Sequence, residues 1–225
     1  MQAERTELYH GGDLDAARST HPDSPEPWID LSTGITPWAY PAGPLAAETW
    51  QRLPCPTALA SLAKSAAGFY GAPATARVVA APGSQALIQR LPALVEPARV
   101  AIVGFTYREH ERCWRLAGHE VAAAADLDAA VAAAEIVVLA NPNNPDGRLV
   151  PAERLEAARM QLAARGGLLV VDEAFAEVAP GASVAPLAGR PGLCVLRSFG
   201  KFFGLAGLRL GFALCPPELG ERLAA

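Results

Sequence analysis

The sequence has few of the features that mark several common classes of protein. It contains two lysines, Lys64 and Lys201, among 225 residues, and only 19% of its residues are charged. With a net charge of −4 and no basic block, it is not typical of proteins that bind nucleic acid or anionic membranes. No apolar run approaches the roughly 20 residues of a membrane span, and the start lacks the apolar core of a signal peptide. These absences favour a cytoplasmic, soluble protein.

Cysteine is also scarce and widely spaced. The four residues are Cys55, Cys113, Cys194 and Cys215, with no Cys-x-x-Cys pair among them. This spacing argues against a disulfide framework and against a zinc site of the usual pattern. We expect reduced, mostly buried thiols and no metal.

Apolar residues, by contrast, make up 51% of the chain and fall in short runs that alternate with helical patterns. The runs that predict strands are Val78–Ala81, Arg99–Gly104, Glu120–Ala123, Glu135–Ala140, Leu168–Val171, Leu193–Arg197 and Leu208–Cys215. Strands alternating with helices need crossover connections, so we predict an α/β fold of three αβα layers around a mostly parallel sheet. A nucleotide-binding Rossmann domain would need Gly-x-Gly-x-x-Gly after its first strand, and none is present.

The two ends of the chain differ from this central part. Residues 1–45 are rich in turn formers and predict an arm that belongs partly to a small domain. Residues 46–215 form the predicted large domain. Residues 216–225 open with Pro216-Pro217-Glu218 and predict the start of a helix that leads to a C-terminal domain absent from this chain.

Ligands of parallel sheets bind where strands end, so the residues after each strand are candidates. Gly83-Ser84-Gln85 opens a helix, whose free N–H groups make an anion site, although Gly-Ser is most often a simple helix cap. The loop that runs from residue 141 to residue 147, Asn-Pro-Asn-Asn-Pro-Asp-Gly, offers amide donors, although composition alone favours a plain turn.

Two charged residues also follow predicted strands. Asp172 comes directly after an apolar strand, where a carboxylate is costly to bury unless it has a cationic partner or a metal ion. It could be a Mg²⁺ ligand, a helix cap or the counter-charge of a protonated heterocycle. Lys201 lies between aromatic and glycine residues, and an apolar loop gives its amine reason to be deprotonated, as a Schiff-base lysine needs. Taken alone, however, a lysine in such a loop is more often a solvated surface residue.

Taken together, these segments resemble the fold-type I pyridoxal 5′-phosphate (PLP) enzymes, the aspartate aminotransferase superfamily. Ser198-x-x-Lys201, Arg209 eight residues after the lysine, the Asn-Pro-x-Gly loop and the strand-ending Asp172 occur in the order of that family. The resemblance extends over nearly the whole chain, which implies the superfamily's fold and PLP as cofactor.

The resemblance also implies a role for each matching residue. Lys201 would form the Schiff base and move protons at Cα, and Asp172 would keep the pyridine nitrogen protonated. The other implied cofactor contacts are Gly83, Ser84 and Gln85 at the helix start, Tyr107 stacked on the ring, Asn144 at the ring oxygen, and Ser198 and Arg209 at the phosphate.

Within the superfamily, the opening His10-Gly11-Gly12-Asp13 and Phe175, where many transaminases have tyrosine, resemble the threonine-phosphate decarboxylase branch. The resemblance implies decarboxylation of L-threonine O-3-phosphate in cobalamin biosynthesis. Two alternatives stay open: an aminotransferase of the histidinol-phosphate type, and a truncated relative that serves as a binding protein. The sequence does not show which Cα bond is held perpendicular to the ring, which decides between the first two.

The candidate substrate contacts are His10, Thr33 and Gly34, and the expected partners are a small phosphorylated amino acid and a second copy of the chain. Three departures from the family pattern stand out. The small domain, with its substrate-gripping arginine, is absent. Leu53 replaces a tyrosine that many relatives supply across the dimer interface. Asp146 stands where threonine or a small residue is usual, and an acid there is unfavourable near a phosphate unless it points away.

Overall fold

The computed structural model describes residues 11–225, so the predicted substrate contact His10 lies outside the described residues. Its centre is one sheet whose strands are β1 Arg77–Ala81, β2 Arg99–Val103, β3 Glu120–Ala124, β4 Ile136–Ala140, β5 Leu168–Asp172, β6 Leu193–Ser198 and β7 Gly211–Cys215. Their order in space is β1-β7-β6-β5-β4-β2-β3. Only β7 runs against its neighbours, and the other pairs are parallel. The predicted α/β fold with a mostly parallel sheet is confirmed.

Helices supply the crossover connections between these strands. They are α1 Leu14–Thr20, α2 Glu48–Gln51, α3 Pro56–Tyr70, α4 Ser84–Arg90, α5 Arg108–Leu116, α6 Leu127–Ala133, α7 Ala152–Ala163 and α8 Pro217–Ala224. Helix α3 shows why the limits fall where they do. Pro56 occupies its first turn, where no N–H is needed, and Gly71 ends it with φ 66°, a left-handed conformation that costs glycine little.

Both faces of the sheet are covered, which explains why the strands read as continuous apolar runs. In β5, Leu169 and Val171 belong to one core cluster, whereas Leu168 and Val170 belong to the cluster on the opposite face. All five residues of this strand are buried. A strand that is buried on both sides needs apolar residues on both faces, which explains the run of Leu and Val from residue 168 to residue 171.

Two of the predicted elements are shorter by more than one residue than the sequence pattern indicated. The predicted strand Leu208–Cys215 begins only at Gly211, because residues 206–208 form a 3₁₀ turn and Arg209 has a left-handed φ of 52°. The helix predicted from Ser84 ends at Arg90 and continues as the 3₁₀ turn Leu91–Leu94. Further 3₁₀ turns lie at Ala176–Val178, Pro180–Ala182 and Ala185–Leu187.

The N-terminal arm lies against the loop that carries the lysine. The Thr36 backbone N–H donates to the Lys201 carbonyl at 3.1 Å, and the Tyr40 N–H donates to the Phe203 carbonyl at 2.8 Å. Gly204 lies so close that a Cβ there would be 2.9 Å from the Cα of Ala39. The arm and the lysine loop therefore position each other.

Within residues 11–225, no helix has both the length and the apolar character required to cross a membrane. The four cysteines are free thiols: Cys113, Cys194 and Cys215 are buried, as expected, and Cys55 is exposed.

Candidate functional site

One cleft at the carboxyl edge of the sheet gathers the predicted site residues that the structure describes. Its lining includes Thr33, Gly34, Gly83, Ser84, Gln85, Tyr107, Asn144, Asp172, Ser198, Lys201 and Arg209. These residues are dispersed along the chain, and the topology brings them together. The arm contributes one wall, and the segments that follow β1, β2, β4, β5 and β6 contribute the rest.

Strand register explains why the charged residues meet. β5 and β6 are parallel neighbours, so Asp172 and Ser198 end their strands at the same edge. β7 runs the other way and begins there: Gly211 pairs with Ser198 on one side and with Ala81, the last residue of β1, on the other. The antiparallel strand therefore brings the start of α4 next to the end of β6.

The start of α4 and Arg209 form a close-packed cradle that depends on two glycines. A Cβ on Gly83, whose φ is 83°, would lie 2.9 Å from Arg209 Nη2. A Cβ on Gly211 would lie 2.2 Å from the backbone nitrogen of Ser84. Side chains at these positions would fill the space between the guanidinium, the first turn of α4 and Ser198. A cation beside N–H groups and a hydroxyl suits a phosphate.

Lys201 has an altered proton affinity in this setting. Burial lowers the pKa of its amine, the positive charge of Arg209 lowers it further, and the carboxylate of Asp172 opposes both. The lowered pKa means that the neutral, nucleophilic amine is populated at a lower pH than for a free lysine.

Asp172 is 5% exposed and is held by two groups of the chain. His110 Nε2 lies 2.8 Å from its Oδ2, and the Ala174 N–H donates to its Oδ1 at 3.1 Å. His110, which is 1% exposed, was not among the candidates predicted from the sequence. It is the third residue of α5, and its ring meets that of Tyr107, the residue before the helix, edge to face with centroids 6.1 Å apart.

Tyr107 is held at its hydroxyl as well. The hydroxyl donates to Gln85 Oε1 at 3.0 Å, and Gln85 Nε2 donates to Glu109 Oε2 at 2.9 Å. Burial, with the charge of Glu109 second, raises the pKa of Tyr107 to about 12, so its hydroxyl stays protonated. Glu109 was also missed by the sequence analysis. The Gln85 side chain is engaged by protein groups, so it would contact an anion through its backbone instead. Gln85 lies in the first turn of α4, where backbone N–H groups have no partner within the helix.

The Asn-Pro loop holds its acid away from the cleft lining. Asp146 Oδ1 accepts hydrogen bonds from Asn143 Nδ2 at 2.7 Å and from the Arg148 N–H at 3.0 Å. These bonds, the backbone bond first, lower the pKa of Asp146. Asn144 and Pro145, but not Asp146, line the cleft. The acid at this unusual position is therefore satisfied within its own loop.

The arm meets Phe175 at the far wall of the cleft. A Cβ on Gly34 would lie 2.9 Å from Cζ of Phe175, and one on Gly12 would lie 3.4 Å from Cγ2 of Thr33. Glycine at position 34 thus allows the arm to pack directly on the phenyl ring. The ring offers no hydroxyl to this part of the cleft.

A second polar cluster lies next to the cleft residues in sequence but not in the cleft lining. Arg197 Nη1 donates to Glu173 Oε2 at 2.5 Å, and its Nη2 donates to Glu177 Oε1 at 2.7 Å. The guanidinium also lies 4.3 Å from the ring centroid of Tyr70. Glu173 also accepts from the Ser183 hydroxyl at 2.6 Å. We call this the Arg197 cluster.

The fold and the cleft together define a class: three-layer α/β proteins in which a lysine lies beside an anion-binding cradle at the carboxyl edge of the sheet. Comparison with known proteins gives the family. The chain belongs to the aminotransferase class I and II family, which it matches over residues 31–225.

Two curated relatives carry the same name. The chain is 43% identical over 219 residues to a threonine-phosphate decarboxylase of Pseudomonas aeruginosa, an alignment that covers 96% of this chain and 65% of the relative. It is 47% identical over 212 residues to a threonine-phosphate decarboxylase of Sinorhizobium sp, covering 92% of this chain and 62% of the relative. The chain therefore spans somewhat less than two thirds of the relatives that it matches.

Among solved structures, the chain is similar to histidinol-phosphate aminotransferase of Sinorhizobium meliloti in complex with pyridoxal-5′-phosphate. The identity is 29% and the TM-score 0.65, over 77% of this chain and 50% of that one. The similarity supports the three-layer fold and shows that a related protein holds the cofactor.

Proposed function

We propose that this chain binds PLP in the cleft and provides the cofactor-binding part, residues 46–215, of an enzyme that decarboxylates L-threonine O-3-phosphate to (R)-1-amino-2-propanol O-2-phosphate. One observation carries the proposal. Lys201, its pKa lowered by burial, lines the same cleft as Asp172 and Arg209. The chain is 43–47% identical to threonine-phosphate decarboxylases over more than nine tenths of its length.

The residues fit the cofactor at both of its ionic ends. The cradle of Gly83, Ser84, Ser198 and Arg209 suits the phosphate, because two glycines leave the space that a Cβ would fill. At the other end, Asp172 is buried, and among residues 11–225 its carboxylate has a histidine and a backbone N–H as hydrogen-bond partners, so it suits a protonated ring nitrogen.

When bound, PLP supplies an electron-accepting ring that stabilises the negative charge left at Cα as CO₂ departs. Lys201 Nζ would be the group that holds the cofactor covalently, and the same amine would carry a proton to Cα. Asp172 keeps the proton on the ring nitrogen, which maintains the ring's electron demand. Tyr107 supplies the stacking face, and Asn144 donates to the ring oxygen.

Residues of the same cleft can determine whether the Cα–COO⁻ bond or the Cα–H bond of the substrate breaks. Thr33 and Gly34 are proposed substrate contacts, and His10 is a third from outside the described residues. Phe175 supports decarboxylation over transamination, because the phenyl ring against Gly34 lacks the hydroxyl that a tyrosine would offer to the cofactor. The second candidate, a histidinol-phosphate aminotransferase, is supported by the similarity to the Sinorhizobium meliloti structure.

We also propose that the protein acts as a cytoplasmic homodimer in cobalamin biosynthesis. Large apolar side chains that are more than half exposed support a dimer interface: Trp38, Trp50, Leu53 and Phe69. Replacing Leu53 by a charged residue should then reduce the molar mass measured by light scattering towards that of one chain.

The decisive experiment incubates the full-length protein with PLP and L-threonine O-3-phosphate, without any 2-oxo acid, and measures CO₂. Sustained release over many turnovers is expected. Conversion of the cofactor to its pyridoxamine form, with no CO₂, would establish the aminotransferase instead. Binding of PLP with neither reaction would leave a binding protein and end the enzymatic proposal for this chain.

A further inference from the structure

We propose that Glu109 is a positioning residue that sets the direction of the hydrogen bonds reaching Tyr107, through the side-chain amide of Gln85. This inference rests on the proposed function, in which Tyr107 stacks on the cofactor ring. The chain of contacts is short: Tyr107 hydroxyl to Gln85 Oε1 at 3.0 Å, and Gln85 Nε2 to Glu109 Oε2 at 2.9 Å.

Glu109 is a buried acid at the second position of α5, with 3% of its surface exposed. Its Oε2 receives Gln85 Nε2, Arg112 Nη1 at 3.4 Å and Cys113 Sγ at 3.8 Å. Three donors converge on this one oxygen, so it acts as a hydrogen-bond acceptor towards each of them. An oxygen in that role has no hydrogen bond to donate to Gln85.

That restriction fixes the orientation of the next group. The amide of Gln85 has one donating and one accepting end, and only its NH₂ can face Glu109. Its oxygen must then face Tyr107, and the phenolic proton is committed to that oxygen. Tyr107 is thus held at its hydroxyl by Gln85 and at its ring by the edge of His110. The residue acts as an oriented stacking surface and not as a proton source.

A neutral residue of the same shape at position 109 would remove the restriction. In Glu109→Gln, the new amide can donate to Gln85 as well as accept from it, so the Gln85 amide can reverse and leave the Tyr107 proton uncommitted. Glu111→Gln is the matched control, because Glu111 is exposed on the same helix and paired with Arg115 at 3.0 Å.

The first test needs no cofactor. In apo protein labelled with ¹⁵N-glutamine, the side-chain amide signal of Gln85 is identified by its loss in Gln85→Met. We expect one of its protons to be shifted downfield and slow to exchange, to lose both properties in Glu109→Gln, and to keep them in Glu111→Gln. An unchanged signal in Glu109→Gln overturns the proposal.

The second test uses the protein loaded with PLP and reads the induced circular dichroism of the cofactor band and the Kd for PLP. Glu109→Gln should change the dichroism and raise Kd by about three- to tenfold, the size expected for a misdirected hydrogen bond at a partly buried site. In the Gln85→Met background the same substitution should have no further effect on either. An equal effect in both backgrounds would show that Glu109 does not act through Gln85.

The two tests separate this inference from the proposed function. If the unmodified protein does not bind PLP, the proposed function fails, while the amide signal of the apo protein still decides the orientation of Gln85. Thermal unfolding of each variant, followed by far-UV circular dichroism, separates loss of orientation from loss of folding. A Glu109→Gln variant that loses only stability contradicts the proposal.

Discussion

Asp172 and Glu173 are adjacent acids at the end of the same strand, yet they lie in different surroundings. Asp172 faces the cleft, where its carboxylate forms hydrogen bonds with His110 and with one backbone N–H. Glu173 receives Arg197, the Ser183 hydroxyl and the Val184 N–H, at 2.5 to 2.7 Å. Successive residues of an extended segment point to opposite faces, which separates the two carboxylates.

The partners of the two carboxylates indicate which acid is available to a ligand. Glu173 meets a full cation and two further donors from its own chain, so its charge is already compensated. The charge of Asp172 has no such full cation in direct contact among the described residues, since His110 is a cation only when protonated. We therefore expect the cleft side of the pair to serve binding and the Arg197 cluster to serve stability. Four predictions test this division.

The largest effect is expected for Lys201→Ala on the cleft side. The substitution removes the amine that we propose holds the cofactor and moves the proton at Cα, so CO₂ release should fall on the order of 10³-fold or more. The urea midpoint should stay close to that of the unmodified protein, because a buried amine with a lowered pKa contributes little to stability. Activity within tenfold of the unmodified protein would contradict the assigned role of Lys201.

The next effect contrasts the two acids by the same change, Asp172→Asn and Glu173→Gln. Glu173→Gln removes a charge that compensates Arg197 and should lower the free energy of unfolding by about 3 kcal/mol. Asp172→Asn should change stability much less but reduce CO₂ release about 10²-fold, since an amide cannot hold the ring nitrogen protonated. Urea denaturation and turnover are measured on both variants. If Asp172→Asn mainly lowers stability and Glu173→Gln mainly lowers turnover, the assignment of binding to the cleft side and stability to the Arg197 cluster is wrong.

A smaller effect is expected at the cradle. Gly83 has φ 83° and ψ 156°, a conformation that is strained for any other residue, and its Cβ would meet Arg209 Nη2 at 2.9 Å. Gly83→Ala should displace the guanidinium and raise Kd for PLP about tenfold, equivalent to roughly 1.4 kcal/mol. Gly207→Ala is the control, because no atom lies within 4 Å of the position of its Cβ. An equal loss of affinity in both variants would count against the cradle.

The smallest effect concerns the pH at which Lys201 reacts. Its pKa is lowered, so the neutral amine appears at lower pH than in a free lysine. In the apo protein, trinitrophenylation of Lys201, followed by peptide mass spectrometry, should therefore rise at lower pH than that of a lysine in a short peptide in the same reaction. Asp172 opposes the lowering, so Asp172→Asn should move the Lys201 profile to still lower pH. A shift to higher pH would be incompatible with this arrangement.

Much of the fold and of the cleft could be predicted from the sequence, because parallel strands place their ends at one edge. That rule was enough to gather Asp172, Ser198 and Lys201. It could not show His110 or Glu109, whose importance depends on which face of α5 is buried. The Arg197 cluster was missed for a related reason: the partners come from segments far apart in the chain, and charge alone does not reveal burial.

The backbone bonds from Thr36 to Lys201 and from Tyr40 to Phe203 have a consequence for biosynthesis. The arm precedes the lysine loop in the chain and therefore leaves the ribosome before it. The arm remains without these partners until the lysine loop has been synthesised. Cofactor capture by a nascent chain is expected only after that closure, and a deletion of residues 11–41 should prevent it even though every charged cleft residue remains.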